Sequence, residues 1–254
     1  MAEGDSAIHR LDPRAKVVAT MAFILSVVSW GRYELTPLFP FFLFPVAMVA
    51  RGNLPVGPIV RKVALVLPFA FLVGIFNPLF DREVLVRLGP LAVTGGWVSC
   101  GSIILRAVLT VGAAVILMAT TGFPAICGAL ERLGIPRPFV VQLLSLYRYI
   151  FVLGEEGSRT VRARELRSCG KRGMEMRTYA SLVGHLLLRT WERAERIHRA
   201  MLCRGFAGRF PVQRTYRFRT GDLLFVLGWT SLFLLFRLVN IPEFLGAAVA
   251  GLVR

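Results

Sequence analysis

Apolar residues along the chain gather into runs long enough to cross a bilayer, separated by short clusters rich in Arg, Gly and Pro. Four runs occupy residues 15–30, 35–50, 63–80 and 101–121, and a fifth occupies residues 222–240. Asp12 before Pro13 marks the start of the first run, an N-cap acceptor followed by proline at the first helical position. Trp30 closes that run as an interfacial anchor. The second run is rich in Phe and carries Pro37, Pro40 and Pro45, which predicts a kink that neighbouring helices can satisfy. Pro68 and Gly74 interrupt the third, and Asn77-Pro78 stands near its end. Residues 31–36 and 81–101 are expected to be outside connections, and residues 51–62 an inside loop. Arg106, near the start of the fourth run, is placed to snorkel to the outer interface.

After Gly122 the period changes. Pro124–Leu133 reads as a short helix ending in Gly134, and Pro136 and Pro138 restart the chain. A long helix is predicted from Phe139 to about Cys169, apolar in its first half and charged in its second. Gly154 and Gly157 weaken its middle by about 1 kcal/mol each and allow a bend there. Residues 171–176 form a polar turn, and a second long helix runs from Arg177 to Arg204, stopped by Gly205. On a helical wheel Arg189, Arg193, Arg196 and Arg204 share one face of it, with Leu187, Trp191, Ala194 and Met201 roughly opposite. Glu192 precedes Arg196 by four residues and Glu195 precedes Arg199 by four, the favourable order for helical ion pairs. At ~1.5 Å per residue each long helix extends roughly 40 Å and needs an apolar partner along its length.

With 55% hydrophobic residues, the 254-residue chain is too apolar for a soluble domain of its size. The expected fold class is an all-α polytopic membrane protein, with about five transmembrane helices and a cytoplasmic pair of long amphipathic helices. Residues 1–122 form an N-terminal membrane domain of about four spans, 123–219 the long-helix domain, and 220–254 a C-terminal span with a short apolar tail from Ile241. The first ten residues contain acids and no apolar core, so the first span is expected to act as a signal-anchor rather than a cleaved signal.

The net charge of +16 refines the topology. Residues 155–219 hold 16 of the 31 Lys and Arg against six acids, which assigns this segment to the cytoplasm. Arg10, Arg14 and Lys16 assign the N-terminus to the same side, and an even number of spans between the two agrees. Basic residues next to spans are explained by topology and anionic lipid, so no nucleic-acid partner is expected. Cys100, Cys127, Cys169 and Cys203 form no C-x-x-C pair, and His9, His185 and His198 lie far apart, so no metal site or disulfide framework is expected. An enzyme acting on a phosphorylated lipid would need converging acids, and Glu155-Glu156, the adjacent acid pair, point about 100° apart on a helix. The spans carry too few polar residues to line a channel.

The two long helices end alike, in Ala163-Arg164-Glu-Leu-Arg167-Ser-Cys-Gly170 and Ala200-Met-Leu-Cys-Arg204-Gly205-Phe206. Arg in a last turn and Gly just after it are favourable for any helix end. That does not account for the arginines along the preceding turns, or for two such ends in one segment. The stretch Arg193–Arg209 resembles the second Arg-Gly signature of the T component of energy-coupling factor (ECF) transporters. Leu11–Lys16, Ala129–Pro136 and Leu146–Ile150 followed by Glu155-Glu156 resemble other parts of that family in order. Phe76–Asp81 and the Arg-Ala-Glu-Arg lead-in at 193–196 are similar to its cobalt-type branch.

The resemblance implies a scaffold without catalytic residues or a cofactor of its own, ATP being bound by partner subunits. Two ABC ATPases would dock on the long helices as coupling helices, through Ala200, Arg204 and Gly205 of the second motif and Arg164, Arg167 and Gly170 of the first. The first motif is irregular, since Arg167 stands three residues before Gly170 and either arginine is a docking candidate. A separate membrane subunit would bind the cobalt ion, which accounts for a chain with no ligand cluster. The same role for nickel or a vitamin differs only in partners. The implied location is the cell inner membrane.

Overall fold

The computed structural model describes residues 8–31, 34–80, 84–88, 91–167, 176–208 and 218–238. Among the described residues it is helical with one small hairpin. Its elements are α1 (Pro13–Val28), a 3-10 segment (Thr36–Phe42), α2 (Leu43–Gly52), α3 (Val56–Gly74), α4 (Asn77–Phe80), β1 (Val84–Leu88), β2 (Leu91–Thr94), α5 (Gly95–Thr121), α6 (Phe123–Arg132), α7 (Arg137–Arg167), α8 (Met176–Cys203) and α9 (Thr220–Leu238). They form two compact units, one of residues 1–129 with 215–254 and one of residues 130–214.

In the first unit α1 starts as its sequence dictates. The Asp12 carboxylate accepts the Arg14 backbone N–H at 2.9 Å, and Pro13 takes the first helical position. α1 and α9 lie side by side and parallel. At one end the Asp12 N–H donates to Asp222 Oδ1 at 2.8 Å, and at the other the Arg237 guanidinium sits 5.7 Å over the Trp30 ring. Between these ends a cluster of aromatic rings forms the core. Phe233 of α9 is fully enclosed, with centroids at 5.4 Å from Phe23, 5.5 Å from Phe44, 6.0 Å from Phe41 and 5.8 Å from Trp229. The prolines of the second run act as a 3-10 entrance containing Pro37 and Pro40, which turns Leu38 and Phe41 into this core before α2 begins.

Among the described residues three helices, α3, α5 and α9, are long and apolar enough to cross a membrane, and they expose large apolar side chains such as Leu65, Phe69 and Leu224. α1 has 16 residues, about 24 Å, and the Thr36–Gly52 segment begins as 3-10 helix, so each matches its run in length but falls short of the three longer helices.

The boundaries of the next two runs also differ from expectation. α3 starts at Val56, so Arg61 and Lys62 belong to an exposed early turn of the helix and not to a loop. Asn53 makes the preceding turn with φ 46, the left-handed conformation that Asn tolerates. Residues 81–101 are not one connection. β1 and β2 pair antiparallel, and α5 begins directly at Gly95. Arg106 is therefore the twelfth residue of α5, and its guanidinium is held by the Gly31 carbonyl.

Candidate coupling site on the long helices

The second unit carries every candidate site residue that the structure describes. It is built on α7 and α8, joined by an eight-residue connection that contains Gly170 and Cys169 and lies outside the described residues. α7 is continuous through Gly154 and Gly157, so the glycines do not break it. Gly157 faces α8, and a Cβ there would meet Leu186 Cδ2 at 3.7 Å, an ordinary contact.

The helices meet at mid-length. Tyr149, Val152 and Leu153 of α7 face Leu187, Trp191 and Ala194 of α8 across an apolar groove of about 270 Å³. The apolar stripe read from the sequence thus faces the twin helix, yet Trp191 remains 72% exposed and Leu187 66%. Glu156 completes the crossing, with its carboxylate oxygens 3.9 Å from Arg189 and 4.0 Å from Arg193. Glu155 turns away to pair with Arg159 at 3.3 Å. The two acids do not converge, which removes the geometry that a paired-carboxylate enzyme would need.

The cationic stripe is less free than it looked. Arg189 and Arg193 share Glu156, Arg196 pairs with Glu192 at 3.8 Å, and Arg199 pairs with Glu195 at 3.3 Å. Among the described residues the arginines at the helix tips have no ion partner. Arg164 and Arg167 occupy the last turn of α7, and Arg204 follows the last turn of α8. Arg204 is held by a complete Schellman cap. The Gly205 N–H donates to the Leu202 carbonyl and the Phe206 N–H to the Met201 carbonyl, both at 3.0 Å, with Gly205 at φ 77. Ala200 lies one turn back on the exposed surface, its carbonyl accepting the Arg204 N–H at 3.2 Å. Gly134 ends α6 with the same two-bond pattern, on the Glu131 and Leu130 carbonyls at φ 107.

The candidate arginines are not brought together. Arg167 lies fourteen residues beyond Leu153, and Arg204 lies thirteen beyond Trp191. Each tip therefore stands about 20 Å from the crossing along its own helix. The chain passes from Arg167 through the short connection and back across the groove before it reaches Arg204, so the tips lie on opposite sides of the crossing. A pair of separated, unpaired cations on stiff helices suits two acidic partners better than one.

The matched sequence decides the kinship. Residues 4–216 match the cobalt transport protein family CbiQ. The chain belongs to that family. The match covers α1 to α8 and stops before α9. Among curated relatives, the energy-coupling factor transporter transmembrane protein EcfT of Heliobacterium modesticaldum is 29% identical, over 80% of this chain and 81% of its own. The EcfT of Listeria innocua is 28% identical over 90% of this chain and 92% of its own. That of Leuconostoc gelidum is 29% identical over 84% and 83%. The likeness to an ECF T component is thus carried along nearly the whole chain, and this CbiQ-family protein is a non-catalytic, membrane-embedded energy-coupling subunit.

Sequence reasoning missed two features of this family member. One is Glu156, which it weighed only as half of an acid pair. The other is Lys16, counted as a flanking topological charge although it is 1% exposed and buried with Asp12 and Asp222. The signal for the second was available, in a charge four residues after an N-cap acid and a single acid opening an apolar span. Burial pushes the Cys127 thiol above its ordinary range, away from the thiolate form.

Proposed function

We propose that this subunit couples ATP hydrolysis on two ABC ATPases to import of a cobalt ion through a separate substrate-binding membrane protein. The observation that carries the reading is the pair of arginine tips. Arg189, Arg193, Arg196 and Arg199 are paired with acids of α7 and α8, whereas Arg204 and Arg164 or Arg167 are left for acidic partners. Each ATPase takes one tip, Arg204 with Ala200 and Gly205 at its base, and Arg167 or Arg164 with Gly170 beyond it. ATP stays in the ATPases, and this chain contributes position and movement only.

The parallel pairing of α1 and α9 supports the topology. Their N-terminal ends share one face of the membrane unit, so the N-terminus and the chain returning from the long helices are on the same side. The excess of arginine over residues 155–219 supports that side being the cytoplasm. Cobalt is favoured over nickel or a vitamin by the family matched and by the Phe76–Asp81 stretch.

The test is Arg204→Glu, with Arg167→Glu and Arg164→Glu beside it, in the co-expressed complex. Truncating one side of a buried charge pair costs about 2–5 kcal/mol, so reversal is expected to strip one ATPase on purification and abolish uptake. Full uptake of labelled cobalt with Arg204→Glu, in a complex that keeps both ATPases, refutes the docking role.

A further inference from the structure

The first unit contains a buried polar junction that the coupling role does not yet use. Asp12, Lys16, Thr120 and Asp222 are each no more than 3% exposed. They come from the start of α1, the end of α5 and the start of α9. Asp222 spends both oxygens on backbone. Oδ1 accepts the Asp12 N–H, and Oδ2 accepts the Arg219 N–H at 2.8 Å, which caps α9 from its third position. Lys16 Nζ donates to the Thr120 carbonyl at 3.5 Å, at the C-terminal end of α5. The charges follow the helix dipoles, with carboxylates at two helix N-termini and an ammonium at a C-terminus. Both carboxylates also act electrostatically on the Lys16 ammonium.

The location gives the junction its meaning. Only two stretches of chain link the membrane unit to the long-helix unit. One leaves through α6, where the boundary falls after Ala129, and Gly122, with φ 78, turns the chain from the end of α5 into that helix. The other rejoins the membrane unit at residue 215, shortly before α9 begins at Thr220. The junction ties the origin of the first link and the end of the second to the same turn of α1. A displacement carried along either link therefore reaches the membrane unit close to this junction.

We propose that Lys16 and Asp222 are positioning residues for energy coupling, which hold the two links in register so that movement of the long helices is passed to the membrane unit instead of being absorbed by slack. The inference rests on the coupling role proposed above.

The test uses the complete transporter in proteoliposomes, with ATP hydrolysis and substrate uptake measured on one preparation. Lys16→Met alone leaves two buried carboxylates without a counter-charge and is prone to misfold. Lys16→Met with Asp222→Asn removes both charges at nearly constant volume. The double variant is expected to assemble with both ATPases and hydrolyse ATP at the parent rate. Its uptake per ATP is expected to fall about tenfold, within the usual range for coupling between distant sites. Lys16→Arg, which keeps the charge and the reach, is expected to retain most of the uptake. A well-assembled double variant with the parent uptake per ATP overturns the proposal. So does a double variant that loses its ATPases or its melting transition, because the junction then serves folding alone. Arg204→Glu in the same assay separates the two ideas. If Arg204→Glu behaves as the parent the docking reading fails, whereas a coupled double variant beside an inactive Arg204→Glu defeats only the role of the junction.

Discussion

Gly74 of α3 packs against Cys100 of α5 so closely that a Cβ on Gly74 would stand 2.9 Å from the Cys100 sulfur and 3.5 Å from its Cα. Both residues are buried, and beside them Asn77 donates to Ser99 Oγ at 2.8 Å. Small residues bring membrane helices close where apolar burial alone gives no drive. Gly74→Ala is expected to destabilise by about 1–3 kcal/mol through overpacking. Adding Cys100→Ala is expected to restore most of the loss, since the sulfur is the nearest obstacle. Thermal melting of the detergent-solubilised variants measures both. A single Gly74→Ala that melts with the parent means that the α3–α5 contact has slack the structure does not contain.

The aromatic core makes a second prediction. Phe233 is enclosed by rings from α1, the 3-10 segment, α2 and its own helix. Phe233→Ala is expected to cost about 3–5 kcal/mol, whereas Phe233→Leu, which refills much of the space, is expected to cost under about 1.5 kcal/mol. Equal losses for the two substitutions would place the core elsewhere.

Two glycines in the long-helix unit should respond with opposite signs. Gly205 holds φ 77 in its cap, so Gly205→Ala is expected to cost about 1–2 kcal/mol in the left-handed region. Gly157 is an ordinary helical residue with room for a Cβ, so Gly157→Ala is expected to stabilise by about 0.5–1 kcal/mol. Apparent melting temperatures of the two variants, compared at equal detergent, check the sign. Two losses would mean that the α7–α8 crossing is tighter at Gly157 than its 3.7 Å contact implies.

How far these relationships could be read from the chain depended on whether they were local. Asp12-Pro13, Gly134, Gly205 and the Glu192–Arg196 and Glu195–Arg199 pairs act within a few residues, and each appears where the sequence placed it. Apolar length located α5 and α9 for the same reason, although α5 starts earlier than hydropathy alone indicated, because its glycine-rich first turn reads as loop. What joins distant segments was hidden. Nothing near Lys16 signals that it reaches the Thr120 carbonyl, more than a hundred residues away, or that Asp222 takes the Asp12 N–H beside it. Glu156 was likewise misjudged, because its partners lie across the turn on α8.

The mid-length meeting of α7 and α8 has a mechanical corollary. Two helices that meet at mid-length, with arginine tips at nearly equal reach of about 20 Å, act as levers with a gearing close to one. A movement of 1 Å at either arginine then corresponds to roughly 3° of rotation about Glu156, on helices that rise about 1.5 Å per residue. Such a linkage neither amplifies nor attenuates what it receives. Equal pushes at its two tips would contribute equally about the groove at Trp191.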